Sequence, residues 1–294
     1  MPSAPFAPFR PVKWQVRGGV LDNTAHTLVM GALNVTPDSF SDGGLHADAA
    51  SAVARGLEML DEGADLVDVG GESTRPGAQP VDAEEELRRV IPVVRDLAAA
   101  GAVVSIDTVK AEVAAAALGS GAAVVNDVSA LGDPAMAKVV AAAGAGLVLL
   151  HMQGTPRTMQ EDPRYQDVVA EVARFLAGRA AAAQAAGIDP ACLCVDPGIG
   201  FGKALEHNLA LLRGIPDLVD LGYPVLVGAS RKRFLAGILG PIPPGERDAA
   251  TAAAHVLAIA GGAAAIRVHN VVVGLQTARV ADAIVRVVPA RRFP

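Results

Sequence analysis

Aromatic side chains are scarce in this chain: one Trp, two Tyr and seven Phe in 294 residues, although 51% of the residues are hydrophobic. The apolar weight lies in Ala, Val and Leu, which suits small-residue helices packed on buried parallel strands. Cysteine is scarcer still. Cys192 and Cys194 lie two apart in one strand candidate, and a mutual disulfide is disfavoured. Two thiols do not make a zinc site, and both read as buried packing residues. No apolar run approaches the roughly 18 residues of a membrane span. No Lys or Arg run exists, and the formal net charge of −6 argues against nucleic acid or an anionic membrane as partner. Any anionic ligand has to be held locally. The stretch Met1 to Pro11 has four prolines and no signal-peptide core, so it reads as a mobile arm and the compartment as the cytoplasm.

What is present is a strict alternation. Short β-rich runs at 28–33, 65–70, 102–106, 122–126, 146–150, 192–195, 224–228 and 264–267 are separated by helical stretches at 47–62, 82–99, 109–118, 134–143, 167–187, 205–213, 246–261 and 271–288. Eight β-then-α units predict a single closed (β/α)8 barrel of the TIM type, an α/β fold needing about 250 residues, rather than an open doubly wound sheet. Val12 to His26 reads as a hairpin turning at Arg17-Gly18-Gly19 or at Asp22-Asn23, placed to plug the barrel's bottom. The expected organisation is an arm and hairpin over 1–27 and a barrel over 28–290.

Polar residues gather where the strands end, the face on which such barrels carry their chemistry. Strand one runs into Asn34-Val-Thr-Pro-Asp38-Ser-Phe40-Ser-Asp42-Gly-Gly, and strand two into Gly70-Gly-Glu72-Ser73-Thr74-Arg75-Pro76-Gly77. The others end in Asp107-Thr108, Asn126-Asp127, His151-Met152-Gln153-Gly154, Asp196 to Lys203, Ser230-Arg231-Lys232 and Arg267-Val-His269-Asn270. Singly, each has a structural explanation: Asp107 and Asn126 as helix caps, the histidines as satisfied strand-end residues, Ser230 as a cap with Lys232 in solvent. Together they put acids and an amide from strands three, four and six opposite cations from strands seven and eight.

Two carboxylates and an amide can match the amino and N–H edge of a flat heterocycle, as a carboxylate matches a guanidine, and a lysine can donate to a ring carbonyl. Arg267, His269 and Asn34 offer donors to phosphate oxygens, and an oxygen ligand there could help hold Mg²⁺.

These motifs resemble the dihydropteroate synthase family of pterin-binding enzymes. The carrying segments are Gly31-Ala-Leu-Asn-Val-Thr-Pro-Asp-Ser-Phe-Ser-Asp-Gly-Gly44, Gly70 to Gly77, Ser105-Ile-Asp-Thr108, Asn126-Asp127, His151 to Gly154, Asp196-Pro-Gly-Ile-Gly-Phe-Gly-Lys203, Gly228 to Phe234 and Arg267-Val-His269. The first, second and sixth are long and specific. The resemblance implies condensation of 6-hydroxymethyl-7,8-dihydropterin diphosphate with p-aminobenzoate in folate biosynthesis, in a cytoplasmic, Mg²⁺-dependent, sulfonamide-targeted homodimer. It implies that Asp107, Asn126, Met152, Asp196, Phe201, Lys232 and Arg267 bind the pterin. Asn34, Arg267 and His269 would hold the diphosphate, with Asn34 also the metal ligand. Phe40, Thr74, Arg75, Pro76, Phe201, Ser230 and Lys232 would form the p-aminobenzoate pocket, and Asp42, Arg75, Asp107 and Lys232 would be catalytic.

Two departures from the family pattern stand out: Asn270 where an Asp is usual after Val-His, and Gly-Ala-Ser where Gly-Thr-Ser is common before Arg231. If the usual Asp orients the histidine, Asn270 weakens that modestly. Two other readings are a non-catalytic pterin-binding paralogue, against which Asp42, Thr74, Arg75 and Lys232 speak, and a pterin-dependent methyltransferase, which would lack the Ser-Thr-Arg-Pro loop and the Ser-Arg-Lys lysine.

Overall fold

A computed structural model describes residues 9–36, 45–73 and 78–286. A hairpin of β1 (Lys13–Val16) and β2 (Gly19–Asp22) precedes the eight strands of one parallel sheet. These are β3 (Leu28–Asn34), β4 (Leu66–Gly70), β5 (Val104–Asp107), β6 (Val124–Asp127), β7 (Gly146–Leu150), β8 (Leu193–Asp196), β9 (Leu226–Val227) and β10 (Ala265–Val268). Their order is β8-β7-β6-β5-β4-β3-β10-β9, and a parallel bridge from Val195 to Val225 joins the two ends. The sheet therefore closes into the expected (β/α)8 barrel.

The helices are α1 (Leu45–Asp61), α2 (Ala83–Ala99), α3 (Ala111–Gly119), α4 (Met136–Ala143), α5 (Val168–Ala185), α6 (Leu205–Arg213), α7 (Ile215–Val219), α8 (Arg233–Leu239), α9 (Asp248–Ala260) and α10 (Val271–Val285). Of these, α7 and α8 are too short to carry a periodicity and escape a sequence reading. Their partners start where the sequence says they should: Asp82, Asp167 and Asn270 accept from the backbone N–H three residues on and cap α2, α5 and α10. None of the helices is long and apolar enough to cross a membrane, among the described residues.

The strands bury both faces, which is why they read as continuous apolar runs. Alternation sends Leu28, Met30, Leu66, Val124, Val148, Cys194, Leu226 and Ala265 into the barrel, where they pack with Trp14, Val16 and Leu21 of the hairpin. The opposite set, including Val29, Val67, Ile106, Val125, Leu147 and Val195, meets the helices. The hairpin does plug the bottom: Trp14 is 1% exposed and its indole N–H donates to the Cys192 carbonyl at 2.8 Å. Of the two candidate turns, the chain uses Arg17-Gly18, where Gly18 takes the left-handed φ of +81° that suits glycine.

Two expectations need correction. Phe9 and Arg10 do not behave as a free arm: Phe9 lies 3.8 Å from the Arg286 guanidinium, and Arg10 pairs with Asp220 at 2.8 Å. Residues 1–8 lie outside the described residues. Cys192 belongs to a short 3-10 turn (Pro190–Cys192) ahead of β8, not to the strand itself, although both thiols are buried and free.

Candidate active site

Towards the carboxyl ends of the strands the interior side chains change from apolar to polar. Following Leu66, the next inward position on β4 is Asp68; on β5 the inward pair is Ser105 and Asp107; on β6, Asn126; on β8, Asp196; on β10, Arg267. Ladder register sets Asp68 beside Ser105, Gly70 beside Asp107, and Asp107 beside Asn126. Asp107 and Asn126 cap nothing: α3 begins after Lys110 and α4 after Ala135.

Arg267 is the hub. Its Nε donates to Asp68 Oδ2 at 2.6 Å and its Nη2 to Asp107 Oδ2 at 3.1 Å, and the same Asp68 oxygen accepts from Asn126 Nδ2 at 2.9 Å. Asp68 is 0% exposed, a buried acid that the strand pattern alone does not single out. The signal was there, since an aspartate in the middle of an apolar LVDVG run is costly to bury without a partner.

Burial and the neighbouring Asp68 charge push the Asp107 carboxyl up to about 7, against the opposing field of Arg267. Burial raises Asp196 to about 6, although the Gly198 N–H and the charges of Lys232, Lys203 and Arg267 favour its ionised form. Both acids are thus raised towards neutrality, Asp107 beside the Arg267 guanidinium and Asp196 on the Gly198 N–H.

Lys232 enters from the loop after β9, its Nζ 4.0 Å from the centre of the Phe201 ring. Its neighbour Arg231 turns the other way and forms a two-pronged ion pair with Asp248, Nε to Oδ1 at 2.7 Å and Nη2 to Oδ2 at 2.9 Å. Lys232 thus does not sit in solvent. Phe201 packs with Val128, Leu150, Met159 and the half-buried Met152, an apolar wall beside the charged cluster.

Phe201 is carried by the loop after β8, whose glycines 198, 200 and 202 all have positive φ. A second buried cation holds that loop. Lys203 Nζ reaches His151 Nδ1 at 2.9 Å and the carbonyls of His151 and Phe201 at 3.1 and 2.9 Å. His151 is thereby a satisfied strand-end histidine and stacks edge-on against Phe175.

On the far side of Arg267, Ser230 Oγ lies 3.0 Å from His269 Nδ1 and accepts from the His269 backbone N–H at 3.2 Å. Ser230 caps no helix. Asn270 is directed away from the histidine: it caps α10 and its Nδ2 donates to Asp248 at 2.9 Å. Among the described residues the His269 ring meets Ser230, while Asn270 is engaged with Asp248 and the start of α10. Asn34 ends β3 half-buried, beside Gly70 in the ladder.

The structure thus brings Asp107, Asn126, Asp196, Phe201, Lys232 and Arg267 to one mouth, with Met152 on its wall and Asn34, Ser230 and His269 on its rim. Phe40 and Asp42 in the first loop, and Thr74, Arg75 and Pro76 in the second, lie outside the described residues. The base of the second loop is described: Glu72 and the buried Glu86 share Lys110 Nζ, each at 2.5 Å.

Comparison with known proteins points the same way. Residues 30–269 match the family model described as pterin binding enzyme. The dihydropteroate synthase of Mycobacterium leprae is 52% identical over 262 residues, covering 87% of this chain and 92% of that one. A structure of Xanthomonas albilineans dihydropteroate synthase with 4-aminobenzoic acid superposes with a TM-score of 0.88 at 47% identity, covering 95% of this chain and 100% of that one. Another from the same organism, in complex with 7,8-dihydropteroate, gives 0.84 at 45% identity, over 94% of this chain and 100% of that one.

Proposed function

The chain belongs to the pterin-binding enzyme family, and on that basis we propose that it is a dihydropteroate synthase, a transferase condensing 6-hydroxymethyl-7,8-dihydropterin diphosphate with p-aminobenzoate to give 7,8-dihydropteroate and diphosphate. The observation that carries this reading is the buried Asp107–Arg267–Asp68–Asn126 chain facing Asp196 and Lys232 across one barrel mouth.

In this reading Asp196 accepts from the amino and N–H edge of the pterin, Asn126 meets a neighbouring ring position and Lys232 donates to the ring carbonyl. Phe201 and Met152 supply apolar surface, and Arg267 covers the ring's face. As the C–O bond to diphosphate breaks, positive charge grows on the pterin and negative charge on the leaving group. Asp107 and Asp196 stabilise the first, Arg267 and His269 the second, with no reorganisation of solvent. The p-aminobenzoate amine then forms the new C–N bond, and its proton passes to the released diphosphate or to water. Its pocket would be shaped by Phe40, Thr74, Arg75, Pro76, Ser230 and Lys232, with Asp42 and Arg75 closing over it.

Magnesium fits as a minor protein ligand problem. Among the described residues no group of three His, Cys, Asp or Glu side chains could hold a metal, whereas Asn34 offers a neutral carboxamide oxygen at the rim. Such a donor set suits Mg²⁺ bound chiefly by substrate oxygens and water, where it would neutralise the departing diphosphate. The exposed Leu257 of α9 and Val272, Val280 and Ile284 of α10 form the face we assign to pairing of two copies. Cytoplasmic placement suits a substrate made and used among phosphorylated small molecules.

The test is turnover of pterin diphosphate with p-aminobenzoate, read as pyrophosphate release. Product formation at rates ordinary for an enzyme supports the proposal. Binding without turnover would point to the non-catalytic paralogue, and methyl transfer from a reduced folate to the methyltransferase.

A further inference from the structure

Asp68 lies one layer below the groups assigned to pterin, in the middle of β4, and none of its surface reaches solvent. A carboxylate so placed in an apolar strand is costly unless it is paired. It is paired on one side only. Oδ2 takes both the Arg267 Nε hydrogen bond, at 2.6 Å, and that of Asn126 Nδ2, at 2.9 Å, whereas Oδ1 has no hydrogen-bond partner.

The consequence for Asn126 follows from donor chemistry alone. An ionised carboxylate can only accept, so the amide must turn its NH₂ towards Asp68 and its carbonyl oxygen away. That oxygen, Asn126 Oδ1, is itself buried without a partner. A buried acceptor left open at the mouth of a ligand site is an acceptor waiting for a donor.

We propose that Asp68 is a positioning residue for pterin recognition: by accepting from Arg267 and Asn126 on a single oxygen, it fixes the guanidinium and commits Asn126 to present its carbonyl oxygen to an N–H of the bound ring. The inference rests on the dihydropteroate synthase reading and specifies the polarity of one of its contacts. Asp68 touches no substrate in this account and acts through its two partners.

Substitutions at both positions provide the test. Asn126→Asp keeps an acceptor towards the ring but sets two carboxylates against each other; Asp68→Asn removes the acceptor-only partner. Asn126→Ala, alone and combined with Asp68→Asn, asks whether Asp68 acts through the amide, since with no amide left to orient the change at 68 has less to disturb. Binding of 6-hydroxymethyl-7,8-dihydropterin diphosphate is measured by calorimetry, with the KM for p-aminobenzoate taken in parallel. Each single change should weaken pterin diphosphate binding about 10- to 100-fold, the range for losing a charge-assisted hydrogen bond. The KM for p-aminobenzoate should move less than about threefold, and the loss in the double variant should fall at least about tenfold short of the product of the Asp68→Asn and Asn126→Ala losses.

Wild-type affinity in any single variant would overturn the proposal, and so would losses that simply multiply in the double. Should Asp68→Asn fail to fold, Asn126→Asp alone decides, because wild-type affinity with a carboxylate there would show that Asp68 does not need the donor it accepts from. Wild-type protein that neither binds nor turns over pterin diphosphate would instead refute the parent reading.

Discussion

The ammonium of Lys203 lies 2.9 Å from His151 Nδ1, and the two buried groups lock the loop after β8 onto the end of β7. Burial lowers Lys203 to about 7, and burial with the neighbouring Lys203 charge lowers His151 to about 3. Replacing the lysine leaves the carbonyls of His151 and Phe201 without their donor. Lys203→Met should cost about 2–4 kcal/mol of stability. It should also raise the KM for pterin diphosphate more than that for p-aminobenzoate, because Phe201 loses its anchor. Urea unfolding and steady-state kinetics check both.

A pH dependence follows from Asp196, raised to about 6, chiefly by burial. A carboxyl whose folded value exceeds its unfolded one binds protons more tightly when folded. Its contribution to stability is present below the unfolded value, about 4, and lost as pH rises through the folded value near 6. Asp196→Asn should therefore stabilise the ligand-free protein relative to wild type more at about pH 8 than at about pH 4. The same variant should lose pterin diphosphate binding by at least about 100-fold, since the amino edge loses its ionised acceptor. Denaturation curves across pH and calorimetry read the two effects separately.

In wild type, ionised acids are needed to accept from the ring, yet Asp107 sits at about 7 and Asp196 at about 6 before ligand arrives. Binding should release protons near neutrality and weaken as pH falls below about 6. Calorimetry in two buffers of different ionisation enthalpy counts the protons; an absence of release would remove the carboxylates from the contact.

Gly198, at φ +68°, packs so closely that a Cβ would overlap the His151 carbonyl oxygen. Gly198→Ala has to shift backbone as well as adopt a left-handed conformation, and should destabilise by about 2–4 kcal/mol while lowering pterin affinity. Gly187, also left-handed at φ +95° but open around its Cα, should lose only about 1 kcal/mol on the same change. Thermal melts of the pair separate packing from backbone conformation.

Chelation tests the assigned role of Asn34. EDTA should suppress turnover, and Mg²⁺ should restore it; Asn34→Ala should raise the Mg²⁺ concentration needed for half-maximal rate. A rate indifferent to EDTA removes the metal from the reaction.

The sequence by itself determined the eight β/α units, the hairpin and the end of the barrel that bears polar residues. Strand alternation and helical period are local properties, expressed in any window of about ten residues. It also determined most of the site's membership, because Asp107, Asn126, Asp196 and Arg267 fall at strand ends that topology must gather. Only the tertiary structure decided who pairs with whom. Asp68 and Arg267 are 199 residues apart and meet because barrel closure sets β10 beside β3, and β3 beside β4. Whether Arg231 or Lys232 faces the mouth was settled by Asp248, which draws Arg231 outward, and whether Asn270 serves His269 by that same aspartate. Such choices depend on the stagger of strands around a closed sheet and on competition between partners in three dimensions, and no local window of sequence contains either.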